Sequence, residues 1–93
     1  MPNRLGLMLR AGKLKLGIDM TLKSIQSGNA KIVLLASDSS ENTKKKVRDK
    51  CRYYNIELTE AYDTYTISKA IGRSNVKVLA ITDEGFATFY KIK

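Results

Sequence analysis

Apolar residues recur at helical spacing in four stretches of the chain, and glycine follows three of them. The stretches are residues 3–11, 18–27, the segment from the end of the Ser37–Ser40 cluster to about Tyr54, and 65–71. Gly12, Gly28 and Gly72 stand where helices commonly end, because glycine adopts the left-handed backbone of a helix C-terminus without steric cost. The pattern therefore predicts four helices with defined ends.

Short runs of branched apolar residues separate these stretches, as the strands of a buried sheet do. The runs are Lys31–Ala36, Ile56–Ala61 and Val76–Ile81, and the alternating Lys13–Leu16 is a fourth, very short strand or extended turn. Thr82–Asp83 is expected to cap a final helix that carries Phe86 and Phe89. Because helices and strands alternate, we expect an α/β fold: a three-layer α/β/α sandwich around a four-stranded sheet that is mixed but mostly parallel.

The composition points toward a non-enzymatic domain that binds a polyanion. The 93 residues include no histidine, which excludes imidazole bases and His-ligated metals. They include one cysteine, which excludes a disulfide framework and a cysteine zinc site. We therefore expect neither a cofactor nor a metal. Lys and Arg number 17 against 9 Asp and Glu, and the resulting net charge of +8 favours a nucleic-acid partner. The length and the lack of a linker or repeat predict one domain over residues 1–93.

No targeting or membrane segment is expected in this sequence. Arg4 and Arg10 interrupt the apolar N-terminal stretch that a signal peptide needs. No run approaches the ~20 apolar residues of a membrane span. Cys51 has no partner cysteine within the chain. A cytoplasmic location is the simplest prediction.

Three groups of reactive residues favour structural roles over chemistry. Four carboxylates stand where helix N-termini are predicted: Asp38, Glu41, Asp83 and Glu84. Carboxylates are stabilised there by the helix dipole, so capping is favoured over a metal site. Cys51 shares an apolar stripe with Val47 and Tyr54, which favours core packing over a nucleophile. The basic run Lys44–Arg52 either binds nucleic acid or is a solvated helix face partly neutralised by acidic neighbours, and the second interpretation is favoured.

The segment Lys13–Gly28 carries the strongest candidate chemistry. On the predicted second helix, Asp19, Met20 and Lys23 share a stripe opposite the apolar positions. The helix starts at a glycine and offers free backbone N–H groups, with two lysines just before it. This arrangement suits phosphate binding, with side chains placed to reach base edges. An ordinary surface helix with an Asp19–Lys23 ion pair explains the spacing equally well.

The same segment resembles a known motif. Gly17–Gly28 reads Gly-Ile-Asp-Met-Thr-Leu-Lys-Ser-Ile-Gln-Ser-Gly. It is similar to Gly-x-Asn-Glu-x-x-Lys-x-[Ile/Val]-x-x-Gly in the kink-turn RNA-binding ribosomal-protein family of the L-seven-Ae and L-thirty-e type. Asp19 stands at the family's Asn, and Met20 stands at its Glu. An ionised Asp accepts hydrogen bonds but donates none, and Met offers only packing.

Four further segments, beginning with the strand Lys31–Ala36, extend the resemblance across nearly the whole chain. Ile67–Gly72 looks like the family's Leu-Gly-x-Ala-x-Gly segment, with Ser68 in place of the first Gly. Asn42–Tyr54 and Ile81–Ala87 resemble segments of the family's YlxQ-like bacterial branch. The order and spacing of these segments also match the family.

The resemblance implies a non-enzymatic, ribosome-associated RNA-binding protein with a three-layer α/β/α fold. In the family, the start of the second helix contacts tandem sheared G·A pairs, and a loop after the Leu-Gly-x-Ala-x-Gly segment closes over an extruded nucleotide. With the two basic residues before the motif, the implied RNA-binding residues are Lys13, Lys15, Gly17, Ile18, Asp19, Met20, Lys23, Arg73, Ser74 and Asn75. The expected partner is a kink-turn or ribosomal RNA, bound by a monomer. The alternative is a protein–protein interaction module on the same fold, with Met20 as its anchor.

Overall fold

A computed structural model describes residues 3–90, and within them helices alternate with strands as predicted. The helices are α1 (Asn3–Arg10), α2 (Ile18–Gln26), α3 (Glu41–Tyr54), α4 (Thr64–Ile71) and α5 (Glu84–Ala87). The strands are β1 (Leu14–Leu16), β2 (Ile32–Leu35), β3 (Glu57–Thr59) and β4 (Val78–Ile81). None of the helices in this part of the chain is long and apolar enough to cross a membrane.

The central sheet is mixed, with the strand order β1-β4-β2-β3. Strands β2 and β3 pair in parallel, whereas β4 lies between β1 and β2 and runs antiparallel to both. The prediction of a mostly parallel sheet is therefore wrong, although the predicted mixed, four-stranded sheet is confirmed. Strands β1, β2 and β3 all point the same way, so a single reversed strand makes two of the three pairings antiparallel.

The reversal of β4 results from the segment that follows α4. Gly72 and Asn75 adopt left-handed backbones, with φ of 68° and 58°. The chain then runs back along α4, where the Ser68 hydroxyl bonds the backbone of Val76. Lys77 Nζ reaches the hydroxyl of the first α4 residue at 3.4 Å. Strand β4 therefore starts at the end of the sheet where α4 begins, which the alternation of elements does not reveal.

The sheet separates two hydrophobic cores. Strands β2 and β4 are buried throughout, and alternate residues face opposite sides. One core joins α1 and α4 to the sheet through Leu5, Met8, Ile67, Ile71, Ile32, Leu34, Leu79 and Ile81. The other joins α2 and α3 to it through Ile25, Val47, Cys51, Val33, Leu35, Val78 and Ala80. The three-layer sandwich is confirmed. The core role of Cys51 is confirmed as well, because its side chain is buried in this second core, and that burial raises the pKa of its thiol to about 11.

The four carboxylates predicted at helix N-termini do lie at such ends. Asp83 caps α5 by accepting a backbone N–H at 3.1 Å, and Glu41 and Glu84 occupy the first turns of α3 and α5. Asp38 serves α4 rather than α3, because it accepts the hydroxyl and backbone N–H of Thr64 at 2.7 and 2.9 Å. These hydrogen bonds lower the pKa of the Asp38 carboxyl. No acidic, cysteine or histidine cluster within residues 3–90 is grouped to hold a metal.

The last helix is shorter than predicted. α5 ends at Ala87, so Phe89 lies beyond it, half exposed, with the Arg4 guanidinium 3.9 Å from its ring centroid. The N–H groups of Phe89 and Tyr90 bond carbonyls three residues back, which tightens the chain and ends the α-helix. Gly and β-branched Thr within this segment also have low helix propensity.

Candidate nucleic-acid interface

Gly17 shapes the start of α2. Its φ of 88° and ψ of 164° fall in a region that essentially only glycine occupies. Its N–H donates to the Val78 carbonyl at 2.9 Å, and its carbonyl accepts the Thr21 N–H at 3.0 Å, which ties the helix start to β4. Gly17 has no side chain with which to cap the helix. The N–H groups of residues 18–20 therefore have no intrahelical acceptor and carry the positive end of the helix dipole.

The loop Arg73–Asn75 lies across a groove from this helix start. The groove, called the α2 groove below, is lined by Leu16, Gly17, Ile18, Thr43, Val78 and residues 73–77. The Arg73 N–H donates to the Ser68 carbonyl at 3.0 Å, which joins the loop to α4. The structure thus brings together two segments that were predicted to act jointly and that lie more than fifty residues apart in the sequence.

Ser68 holds the far end of this loop in place. Its hydroxyl accepts the Val76 N–H at 2.8 Å and donates to the Val76 carbonyl at 3.3 Å. Its side chain lies inside the fold, and it stands where the resembling family has glycine. A glycine cannot make either hydrogen bond, so in this chain a side chain holds the end of the loop against α4.

The Ser68→Ala variant is expected to lower the free energy of unfolding by about 1–3 kcal/mol, because the Val76 N–H loses its acceptor. Urea denaturation measures the loss, and faster hydrogen exchange at the Val76 amide localises it. Ser39→Ala is the matched control. Ser39 and Ser68 are both 6% exposed, but the Ser39 hydroxyl has no hydrogen-bond partner within residues 3–90. An equal loss of unfolding free energy in both variants contradicts the role of the Ser68 hydrogen bonds in holding the loop.

Three of the predicted residues share the exposed face of α2 beside the groove. Asp19, Met20 and Lys23 all point to solvent, and Met20 is 43% exposed. The Asp19–Lys23 ion pair expected of an ordinary surface helix is absent from the ion pairs of residues 3–90. Lys15 pairs with Ala80 across the β1–β4 ladder, so its side chain lies on the sheet face covered by α2.

Lys13 lies away from the other predicted residues. Its carbonyl accepts the Thr82 N–H at 2.9 Å, and its Nζ lies 3.9 Å from Asp83 at the start of α5. Strand β1 separates it from Gly17, so it stands at the opposite end of the sheet. The structure does not bring Lys13 to the α2 groove. Lys13 and Gly17 are close in sequence, but the extended strand between them holds them apart in space.

Two lining residues with polar side chains, Thr43 and Lys77, are not among the predicted site residues. Thr43, in the first turn of α3, lines the groove only because α3 packs beside α2, and no local signal marks it. Lys77 is a basic residue directly after the loop and before the buried β4, and that position was a usable signal. Arg73 and Lys77 both line the loop side of the groove, and the Lys77 ammonium lies 3.4 Å from the Thr64 hydroxyl at the start of α4.

Comparison with known proteins places the chain in a family. Residues 1–90 match the family described as ribosomal protein L7Ae/L30e/S12e/Gadd45. The chain is 47% identical to the RNA-binding protein YlxQ of Enterococcus faecium, over 91% of this chain and 82% of that protein. It is 33% identical to the large ribosomal subunit protein eL30 of Dictyostelium discoideum, over 89% of this chain and 76% of that protein.

A solved structure agrees with this placement. A Bacillus halodurans protein described as having unknown function superimposes with a TM-score of 0.90. It is 34% identical, and the match covers 95% of this chain and 89% of that one. With matches in both sequence and fold over most of its length, the chain belongs to the ribosomal protein L7Ae/L30e/S12e/Gadd45 family.

Proposed function

We propose that the chain is a non-enzymatic RNA-binding protein that recognises a kink-turn or similarly bent RNA in the α2 groove. The observation that carries the proposal is the position of Gly17 and of Arg73–Asn75 on two sides of one groove. Family membership and the name of the Enterococcus faecium relative support RNA as the ligand. The net charge of +8 supports it on electrostatic grounds.

In this proposal, the start of α2 enters the bent RNA. The missing Cβ at Gly17 and the unbonded N–H groups of the first turn allow close approach to phosphate or base oxygens. Asp19 accepts hydrogen bonds from guanine N–H groups, and Met20 packs against a base. Lys15 and Lys23 neutralise phosphates.

The second half of the proposed site is the loop on the other side of the groove. Arg73 stacks on an unpaired base or pairs with a phosphate. Ser74 and Asn75 form hydrogen bonds with the polar edge of the unpaired base. The Ser68–Val76 hydrogen bonds pre-organise this loop, which reduces the ordering cost of binding. We propose further that the protein acts as a monomer in the cytoplasm. We also propose that it associates with ribosomal RNA, because the Dictyostelium relative is named a large ribosomal subunit protein.

A gel-shift titration against two RNA duplexes tests the proposal. One duplex carries a kink-turn, and in the other Watson–Crick pairs replace its G·A pairs. We expect at least about tenfold tighter binding to the kink-turn, equivalent to ~1.4 kcal/mol. Equal affinity for the two contradicts specific recognition. It leaves non-specific binding, in which log K falls with log salt by roughly 0.7–0.9 per neutralised phosphate.

A further inference from the structure

The outer face of α3 carries an exposed pair of tyrosines. Tyr53 is 81% exposed and Tyr54 is 40% exposed, and their ring centroids lie 4.9 Å apart in an edge-to-face arrangement. Together with Leu22 of α2 and the side chains of Lys46, Asp49 and Lys50, they line a shallow depression between the two helices. We call these six residues the tyrosine face.

The charges on α3 separate into neutralised and free groups. Arg48 makes a two-pronged contact with Glu60 at 2.7 and 2.8 Å, and Lys44 lies 4.0 Å from Glu41. Asp49, the acidic member of the tyrosine face, lies 3.2 Å from the Lys45 ammonium and 3.7 Å from the Arg52 guanidinium. The prediction of a partly neutralised solvated face is thus confirmed for these four cations.

The remaining two cations belong to the tyrosine face. Lys46 and Lys50 have no acidic partner among residues 3–90. Asp49, the carboxylate that lines the face with them, already pairs with Lys45 and Arg52. The tyrosine face therefore combines exposed aromatic rings with unpaired positive charge, and its electrostatic complement is a polyanion with flat apolar groups.

We propose that the tyrosine face binds an unpaired nucleotide of single-stranded RNA. The Tyr53 ring stacks on the base, since aromatic stacking is the main source of affinity for unpaired nucleotides. Lys46 and Lys50 neutralise the phosphates on either side of that base. Leu22 and Tyr54 form the apolar floor and side of the site.

The tyrosine face also continues from the α2 groove. Thr43 lines that groove, and Lys46, Lys50 and Tyr53 follow it on one stripe of the same helix. Ten helical residues span about 15 Å, so Tyr53 lies within reach of a strand that leaves the groove. This continuity rests on the proposed function, whereas binding of single-stranded RNA alone does not.

The test uses the full chain and two fluorescent probes in anisotropy titrations. The probes are an oligouridine of about 10 nucleotides, within the usual site sizes, and a blunt kink-turn duplex. We expect Tyr53→Ala to weaken oligouridine binding about fivefold or more and Tyr53→Phe to retain it, because a phenyl ring still stacks. Binding of the blunt duplex stays unchanged. Tyr65→Ala is the matched control, since Tyr65 is 69% exposed on α4, across the sheet.

Charge variants give an independent readout. Lys46→Gln with Lys50→Gln is expected to reduce the slope of log K against log salt by about 0.7 for each lysine, for the oligouridine. Lys45→Gln is the control, because Lys45 already pairs with Asp49. An unchanged oligouridine affinity in Tyr53→Ala overturns the inference and leaves the face without a role in RNA binding. An equal loss in Tyr53→Phe overturns base stacking, because it attributes the affinity to the hydroxyl. If the protein binds the kink-turn and control duplexes equally but the Tyr53 variants still bind oligouridine as expected, the result contradicts the proposed function and leaves this inference standing.

Discussion

The Gly17→Ala variant is expected to lose about 1–3 kcal/mol of unfolding free energy and about tenfold in RNA affinity. Alanine is strained at φ 88° and ψ 164°, whereas the added Cβ meets no atom within 4 Å, so the cost is backbone strain and not a clash. Relief of that strain moves the first turn of α2 relative to β4 and weakens the hydrogen bond from Gly17 to Val78. Urea denaturation and a gel-shift titration with a kink-turn duplex measure the two effects.

Gly28→Ala separates the effect on stability from the effect on binding. Gly28 follows the other end of α2, with φ of 81° and no atom within 4 Å of an added Cβ. We expect it to cost stability without changing RNA affinity, because it lies away from the groove. Normal RNA binding by Gly17→Ala, or an equal loss in both variants, contradicts the placement of RNA in the α2 groove.

The helices and strands were predictable because local signals encode them. Gly12, Gly28 and Gly72 each follow a helix and adopt a positive φ, which glycine tolerates without steric cost. The direction of β4 was not predictable, because it depends on the contact between Ser68 and Val76 and on the left-handed Asn75. A serine ten residues before a strand carries no sequence signal for such a contact.

The candidate site was predictable in part for the same physical reason. The motif located Gly17 and its exposed neighbours, because one helix turn fixes their relative positions. The motif did not reveal that Lys13 lies apart from them, since an extended strand carries successive residues apart at about 3.3 Å each. The basic run on α3 was treated as a unit, although ion pairs with Glu60 and Asp49 divide it into paired and unpaired charges. Such division depends on side-chain geometry in three dimensions.

The double variant Asp19→Asn, Met20→Glu is expected to bind a kink-turn duplex about tenfold more tightly or better. These changes reproduce the family's residues at both positions. An amide side chain donates as well as accepts hydrogen bonds, and a carboxylate at position 20 adds an acceptor for guanine N–H groups. Each good base contact contributes about 1–3 kcal/mol of discrimination. Both positions are exposed, so the interface changes without the core.

The two substitutions together leave the formal net charge at +8, because one removes a negative charge and the other adds one. A gain in affinity therefore does not come from non-specific attraction, and the salt dependence of binding is expected to stay the same. The duplex without G·A pairs serves as the control and is expected to bind as before. An equal gain on both duplexes, or no gain on either, means that residues 19 and 20 do not contact the G·A pairs. A gain on the kink-turn alone shows that this chain carries the recognition geometry and that Asp19 and Met20 weaken it.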